Sequence, residues 1–103
     1  MAKLRPGEAV DHVRQGLRSV GASLSNEATG AGFHVEVWHI PDVGDVLLEI
    51  VSGDSGREEP EPVAFDVYVP VGLHGKKRKG IARRSATVNE LVTAYDRWLR
   101  EQR

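Results

Sequence analysis

The residues with the clearest chemical potential form a basic segment ahead of the C-terminal helix. Six of the eleven residues from His74 to Arg84 are lysine or arginine, namely Lys76, Lys77, Arg78, Lys79, Arg83 and Arg84. Because the positive end of a helix dipole disfavours cations, helix stability does not explain this composition. An anion held by these side chains and by the free N–H groups of the helix would explain it. The segment therefore predicts nucleic acid as a partner, contacted at its phosphate backbone.

An uneven distribution of charge supports a different function. Residues 27–70 carry ten acidic side chains and one basic side chain, whereas residues 71–103 carry nine basic and three acidic ones. The pI of about 6.4 is also low for a nucleic-acid-binding domain. The alternative prediction is a protein-binding module, such as an immunity protein, an antitoxin or a phage-type inhibitor, that uses the acidic segment 42–66 and the exposed face of a sheet. Its predicted interface residues are Trp38, Ile40, Tyr68, Glu36 and Asp66. Homodimerisation through the outer sheet face or an edge strand is a third interpretation.

Three patterns that are typical of enzymes are incomplete in this chain. Gly-Asp-Ser-Gly at 53–56 resembles the nucleophile segment of chymotrypsin-like serine proteases, but the chain is too short for their two β-barrels. Asp42 or Asp45 followed by Glu49 partly matches metal-dependent nucleases, yet Val51 replaces their lysine. The four histidines, His12, His34, His39 and His74, lack metal-ligand spacing. We therefore predict a non-enzymatic domain without metal or cofactor, with a divergent nuclease as the remote alternative.

Hydropathy periods predict the elements that carry these residues. Apolar residues spaced three and four apart predict a helix over about 7–21, with Gly21 as its C-cap. Alternating apolar residues predict strands over about 33–40, 46–51 and 63–69. Residues 70–86 are predicted as a basic loop, and the capping box Thr87-Val88-Asn89-Glu90 begins a helix over about 88–101.

The order α-β-β-β-α predicts a single α+β domain in which two helices pack on one face of a three-stranded antiparallel sheet. In this arrangement Phe33, Val35 and Val37 face the helices, and Trp38, Ile40 and Tyr68 lie on the opposite face. The element order and the basic segment resemble the double-stranded-RNA-binding domain, which implies contacts with RNA phosphates. The resemblance covers that segment and the element order.

Composition narrows the environment in which we expect the chain to act. It has no cysteine, which excludes a disulfide-stapled scaffold and a thiolate nucleophile. It has no apolar run near the roughly 20 residues that span a bilayer, and its first residues lack the apolar core of a signal peptide. These features predict a cytoplasmic protein.

Overall fold

The architecture is an antiparallel sheet covered on one face by two helices. The computed structural model describes residues 3–53, 61–72, 77–83 and 86–102. The elements are α1 (Pro6–Ser19), β1 (Ser23–Gly30), β2 (Phe33–Ile40), β3 (Gly44–Gly53), β4 (Glu61–Val71), β5 (Lys77–Gly80) and α2 (Val88–Glu101). The strands form an antiparallel meander in the order β1-β2-β3-β4-β5. The α+β class with two helices agrees with the prediction from sequence. The prediction of three strands is wrong, because the described residues form a sheet of five strands.

The two additional strands are the edges of the sheet. In β1 every residue from Ser23 to Thr29 is exposed, so the strand has no apolar alternation to reveal it. Its backbone pairs with β2 in a register that places Gly30 opposite Phe33. Three of the four residues of β5 are basic, and the strand pairs with β4 within the range predicted as a basic loop. Short strands and lysine are typical of sheet edges, because they discourage pairing with other chains.

Local capping signals explain where the helices begin and end. At the C-terminus of α1, Gly21 has a φ of 82°, a conformation that glycine adopts at little cost. The N–H of Ala22 donates to the carbonyl of Leu17 at 3.0 Å, which closes the last turn. At the start of α2, Thr87 accepts a hydrogen bond from the Glu90 N–H, and the Glu90 carboxylate accepts one from the Thr87 N–H. Each helix has 14 residues, and neither combines the length and hydrophobicity needed to cross a membrane.

The core lies between the helices and one face of the sheet. The sheet contributes eight buried apolar residues: Trp38, Ile40, Val46, Leu48, Ile50, Phe65, Val67 and Val69. The helices contribute eight more: Ala9, Val10, Val13, Leu17, Leu91, Val92, Tyr95 and Leu99. Because all sixteen form one cluster, both helices pack on the same face. Tyr95 is fully buried, and its hydroxyl donates to the Val13 carbonyl at 2.6 Å, which ties α2 to α1.

The structure reverses the predicted orientation of β2. Trp38 and Ile40 are buried against the helices, whereas the Phe33 side chain is 49% exposed on the opposite face. Both faces of β2 carry large apolar residues, so alternation alone does not select the buried face. Glu36 shares the inner face, and Arg14 of α1 forms an ion pair with it, which makes burial of that face possible.

A glycine in α1 provides a test of the contact between the helices. A Cβ at Gly16 would lie 2.6 Å from the Tyr95 hydroxyl and 2.8 Å from Leu99 Cδ2. Gly16→Ala would raise helix propensity by about 1 kcal/mol, but we expect a net loss of about 1–3 kcal/mol from overpacking. Gly7→Ala is the matched control, because among the described residues a Cβ there meets only Pro62 Cδ, at 4.0 Å. Chemical denaturation of both variants measures the difference, and a stabilised Gly16→Ala variant would contradict the packing described.

Candidate functional site

The face of the sheet opposite the helices carries several apolar side chains. Cross-strand pairs place its side chains in rows, because residues directly opposite each other share a face. One row contains Phe33, Val51 and Ala64, and another contains Val37, Leu47 and Tyr68. We call this surface the helix-free face, defined by Phe33, Val35, Val37, Leu47, Val51 and Tyr68. Phe33 and Val51 are 49% and 47% exposed, and no described element packs over them.

Glycines help to shape the helix-free face. A Cβ on Gly30 would overlap the Phe33 ring, so the ring lies over this glycine on the neighbouring strand. The Tyr68 ring lies beside Gly80 of β5, with Tyr68 Cε1 3.7 Å from the position that a Cβ on Gly80 would occupy. The two aromatic rings therefore lie over backbone at opposite sides of the face.

Two carboxylates lie between the apolar rows of the helix-free face. Glu49 and Asp66 are directly opposite each other on β3 and β4, and Val35 lies opposite Glu49 on β2. Like charges at directly opposed positions destabilise a sheet. Within the described residues, neither carboxylate forms a salt bridge. Asp45, four residues from Glu49 along β3, differs from this pair because His39 Nδ1 lies 2.8 Å from its Oδ1.

The basic residues do not form a one-sided surface. Lys77, Arg78, Lys79 and Arg83 are exposed, and they form no salt bridge among the described residues. Because Lys77, Arg78 and Lys79 follow one another along β5, Arg78 points to the face opposite that of the two lysines. The N–H groups of Glu90 and Thr87 at the start of α2 are already occupied by the capping box. Lys76 and Arg84 of the predicted phosphate-binding set lie outside the described residues, as does Asp54-Ser55-Gly56 of the protease-like motif.

A buried ionic cluster lies on the opposite face, under α1. Glu36 is 4% exposed, and its carboxylate accepts hydrogen bonds from Arg14 Nε at 3.0 Å and from Arg14 Nη2 at 2.6 Å. Trp38 Nε1 donates to the same carboxylate at 2.9 Å, and His34 Nε2 lies 2.9 Å from it. Two clefts of about 440 and 350 Å³ adjoin the cluster, and Arg14 lines both.

These contacts determine the ionisation of the cluster. Burial alone raises the pKa of Glu36. The opposing effects are larger and hold that pKa below its usual value: they are the hydrogen bonds from Arg14, Trp38 and His34 and the positive charge of Arg14. The hydrogen bond to Glu36 raises the pKa of Arg14 against the opposing effect of desolvation. Glu36 and Arg14 are therefore a fixed ion pair at neutral pH.

The same cluster contains the one group of potential metal ligands found among the described residues. Ligand atoms of Glu27, His34 and Glu36 lie within 4.8 Å of one another. Sequence reasoning misses this group because the group depends on the pairing of Glu27 with Glu36 across two strands. Glu27 lies on β1, which the sequence pattern does not predict. A cation at Glu36 would have to compete with the guanidinium of Arg14, which already binds both carboxylate oxygens.

The cluster also has a hydroxyl, an imidazole and a carboxylate in series. Thr29 Oγ1 lies 2.7 Å from His34 Nδ1, and His34 Nε2 lies 2.9 Å from Glu36 Oε2. This order can activate a hydroxyl nucleophile. Thr29, however, is exposed on the edge strand and lines neither adjoining cleft, and Arg14 already neutralises Glu36. The described geometry supplies no evidence of catalysis.

The structure places the predicted protein-interface residues on two faces. Trp38, Ile40 and Glu36 are buried on the face that the helices cover, so their predicted exposure is wrong. Arg14 compensates the charge of Glu36, which allows the face that Glu36 shares with Trp38 and Ile40 to be buried. Tyr68 is half-buried and Asp66 is exposed, both on the helix-free face.

Comparisons with protein-family models, with curated proteins and with solved structures found no match to this chain.

Proposed function

We propose that this chain is a protein-binding module whose recognition surface is the helix-free face of its sheet. The observation that carries the proposal is the open apolar surface containing Phe33 and Val51, each about half exposed. Contiguous apolar surface left open by a folded domain is typical of interaction sites. An acidic pair within an apolar surface also matches the usual anatomy of interfaces, in which apolar anchors give affinity and charges give specificity.

The distribution of cations favours this surface over a phosphate-binding one. Binding a nucleic-acid backbone benefits from several cations on one side, whereas Arg78 and the lysines of β5 point to opposite sides of the sheet. The formal net charge of −1 also provides little long-range attraction for a polyanion.

Selection from a random-peptide display library tests the proposal directly, because the library samples many peptide chemistries at once. Peptides selected on the wild-type protein are measured against Phe33→Ser/Val51→Ser and against Leu24→Ser. Leu24 is the matched control, since it is 42% exposed but lies opposite Trp38, on the helix side of the sheet. We expect the double variant to lose affinity at least about tenfold, which corresponds to about 1.4 kcal/mol, and Leu24→Ser to retain it. Circular dichroism confirms that each variant is folded. Equal affinity for all three proteins would contradict the proposal.

A second candidate function is contact with nucleic-acid phosphates. It is favoured by four exposed basic residues that form no salt bridge among the described residues: Lys77, Arg78, Lys79 and Arg83. Fluorescence anisotropy with single- and double-stranded DNA and RNA tests it. This function predicts binding that weakens steeply with salt and is lost when the three residues of β5 are replaced by alanine. An absence of binding at low salt would eliminate it.

A further inference from the structure

We infer that the partner of the helix-free face presents an arginine flanked by apolar side chains, which docks between Glu49 and Asp66. This inference rests on the proposed function and adds the chemistry of the partner. Its basis is the register of the sheet, which places Glu49 directly opposite Asp66 with apolar rows on both sides.

The geometry of the acidic pair suits a guanidinium group. Directly opposed residues in an antiparallel pair have Cβ atoms about 4.5–5.5 Å apart, so one planar cation can reach both carboxylates. Arginine has five N–H donors in a fixed fork, whereas lysine presents a compact point charge. Val51 and Leu47 each lie two residues from Glu49 along β3, so the apolar row that contains each of them is about 7 Å from Glu49. Apolar side chains that flank the arginine in the partner would therefore meet apolar side chains of this chain.

Fold stability does not explain the acidic pair. Like charges at directly opposite positions destabilise the pairing of two strands. Among the described residues, Glu49 and Asp66 have no salt-bridge partner. Arg78 is on the same face of the sheet, but it pairs with Pro70, four residues along β4 from Asp66 and about 13 Å away. A bound arginine would relieve the repulsion between the two carboxylates.

The acidic pair also distinguishes this partner from a second copy of the chain. Face-to-face packing of two copies about a central two-fold axis would bring two acidic pairs together. Four carboxylates in an apolar interface would repel one another strongly, because the local dielectric is low. A basic, apolar segment of another protein is complementary to the face, whereas the face is not complementary to itself.

The test uses the displayed peptides and the variant Glu49→Gln/Asp66→Asn, which keeps the shape of both side chains and removes their charges. We expect the selected peptides to share an arginine with apolar neighbours. We expect the variant to bind them about tenfold more weakly, and replacement of the peptide arginine by citrulline to have a similar effect. We also expect the melting temperature of the variant to equal or exceed that of the wild type, since opposed charges are removed. A purely structural role for the two carboxylates would lower it.

The other possible results of this experiment separate the arginine inference from the proposed function. Peptides that lose affinity for Phe33→Ser/Val51→Ser but bind Glu49→Gln/Asp66→Asn normally would overturn the arginine inference and leave the proposed function intact. Peptides that bind all variants equally would overturn both. Light scattering that shows a dimer, dissociated by Phe33→Ser/Val51→Ser, would assign the face to a second copy and overturn the arginine inference.

Discussion

Replacing Arg14 with alanine is expected to lower the free energy of unfolding by about 3–5 kcal/mol at neutral pH. The guanidinium of Arg14 binds both oxygens of Glu36, whose side chain is 5% exposed. Without Arg14 a buried carboxylate keeps its hydrogen bonds to Trp38 and His34 but loses its counter-charge. Urea denaturation followed by circular dichroism measures the loss, and Arg18→Ala is the control. Arg18 is exposed, and its guanidinium carbon lies 5.4 Å from the centre of the Trp38 ring, a contact that contributes less than about 1 kcal/mol.

The pH dependence of this variant follows from the lowered pKa of Glu36. In the wild-type protein the ionised carboxylate contributes stability that is fully present above the pKa of the unfolded chain and is lost as the pH falls through the lower folded pKa. Loss of Arg14 removes two of the causes that lower this pKa, so we expect the pKa of Glu36 to be higher in the variant than in the wild type. The difference in stability between the two proteins is therefore expected to shrink as the solution is acidified. A difference below about 1 kcal/mol at neutral pH would contradict the buried ion pair.

Replacing Trp38 with alanine is expected to cost about 3–5 kcal/mol, the range for removing a large aromatic side chain from a core. Trp38 is 4% exposed and also donates its indole N–H to Glu36. Phe33→Ala, on the same strand but on the helix-free face, is expected to cost less than about 1 kcal/mol. Thermal and urea unfolding followed by far-ultraviolet circular dichroism compares the two variants. A larger loss for Phe33→Ala would mean that β2 faces the other way, with Phe33 in the core.

Local signals in the sequence predict the helices well. Val10, Val13 and Leu17 have helical spacing and are buried, and the capping box of Thr87 and Glu90 forms at the start of α2. These signals are contained within one or two turns of a helix, so no tertiary information is needed to interpret them. The edge strands lack such signals. Ser23–Gly30 is a strand because β2 supplies hydrogen-bonding partners, and a polar, exposed sequence does not reveal this.

The candidate site was less predictable because it depends on contacts between distant residues. Alternation along β2 identifies two faces but not which one is buried, since that choice depends on Arg14, 22 residues from Glu36 in the chain. The opposition of Glu49 and Asp66 depends on the register between β3 and β4. Alternation along β4 nonetheless predicts that Tyr68 and Asp66 lie on the outer side of the sheet, where the structure places them.

A nuclear magnetic resonance titration shows residue by residue whether the helix-free face is the recognition surface. The ¹⁵N-labelled protein is titrated with a selected peptide, and the shift of each amide signal is followed. We predict that the largest shifts occur at the centre of the sheet, around Val35, Leu47 and Asp66, with little change in α1 and α2. Shifts concentrated on Lys77–Gly80 and Arg83, or on the exposed sides of the helices, would show that the helix-free face is not the recognition surface.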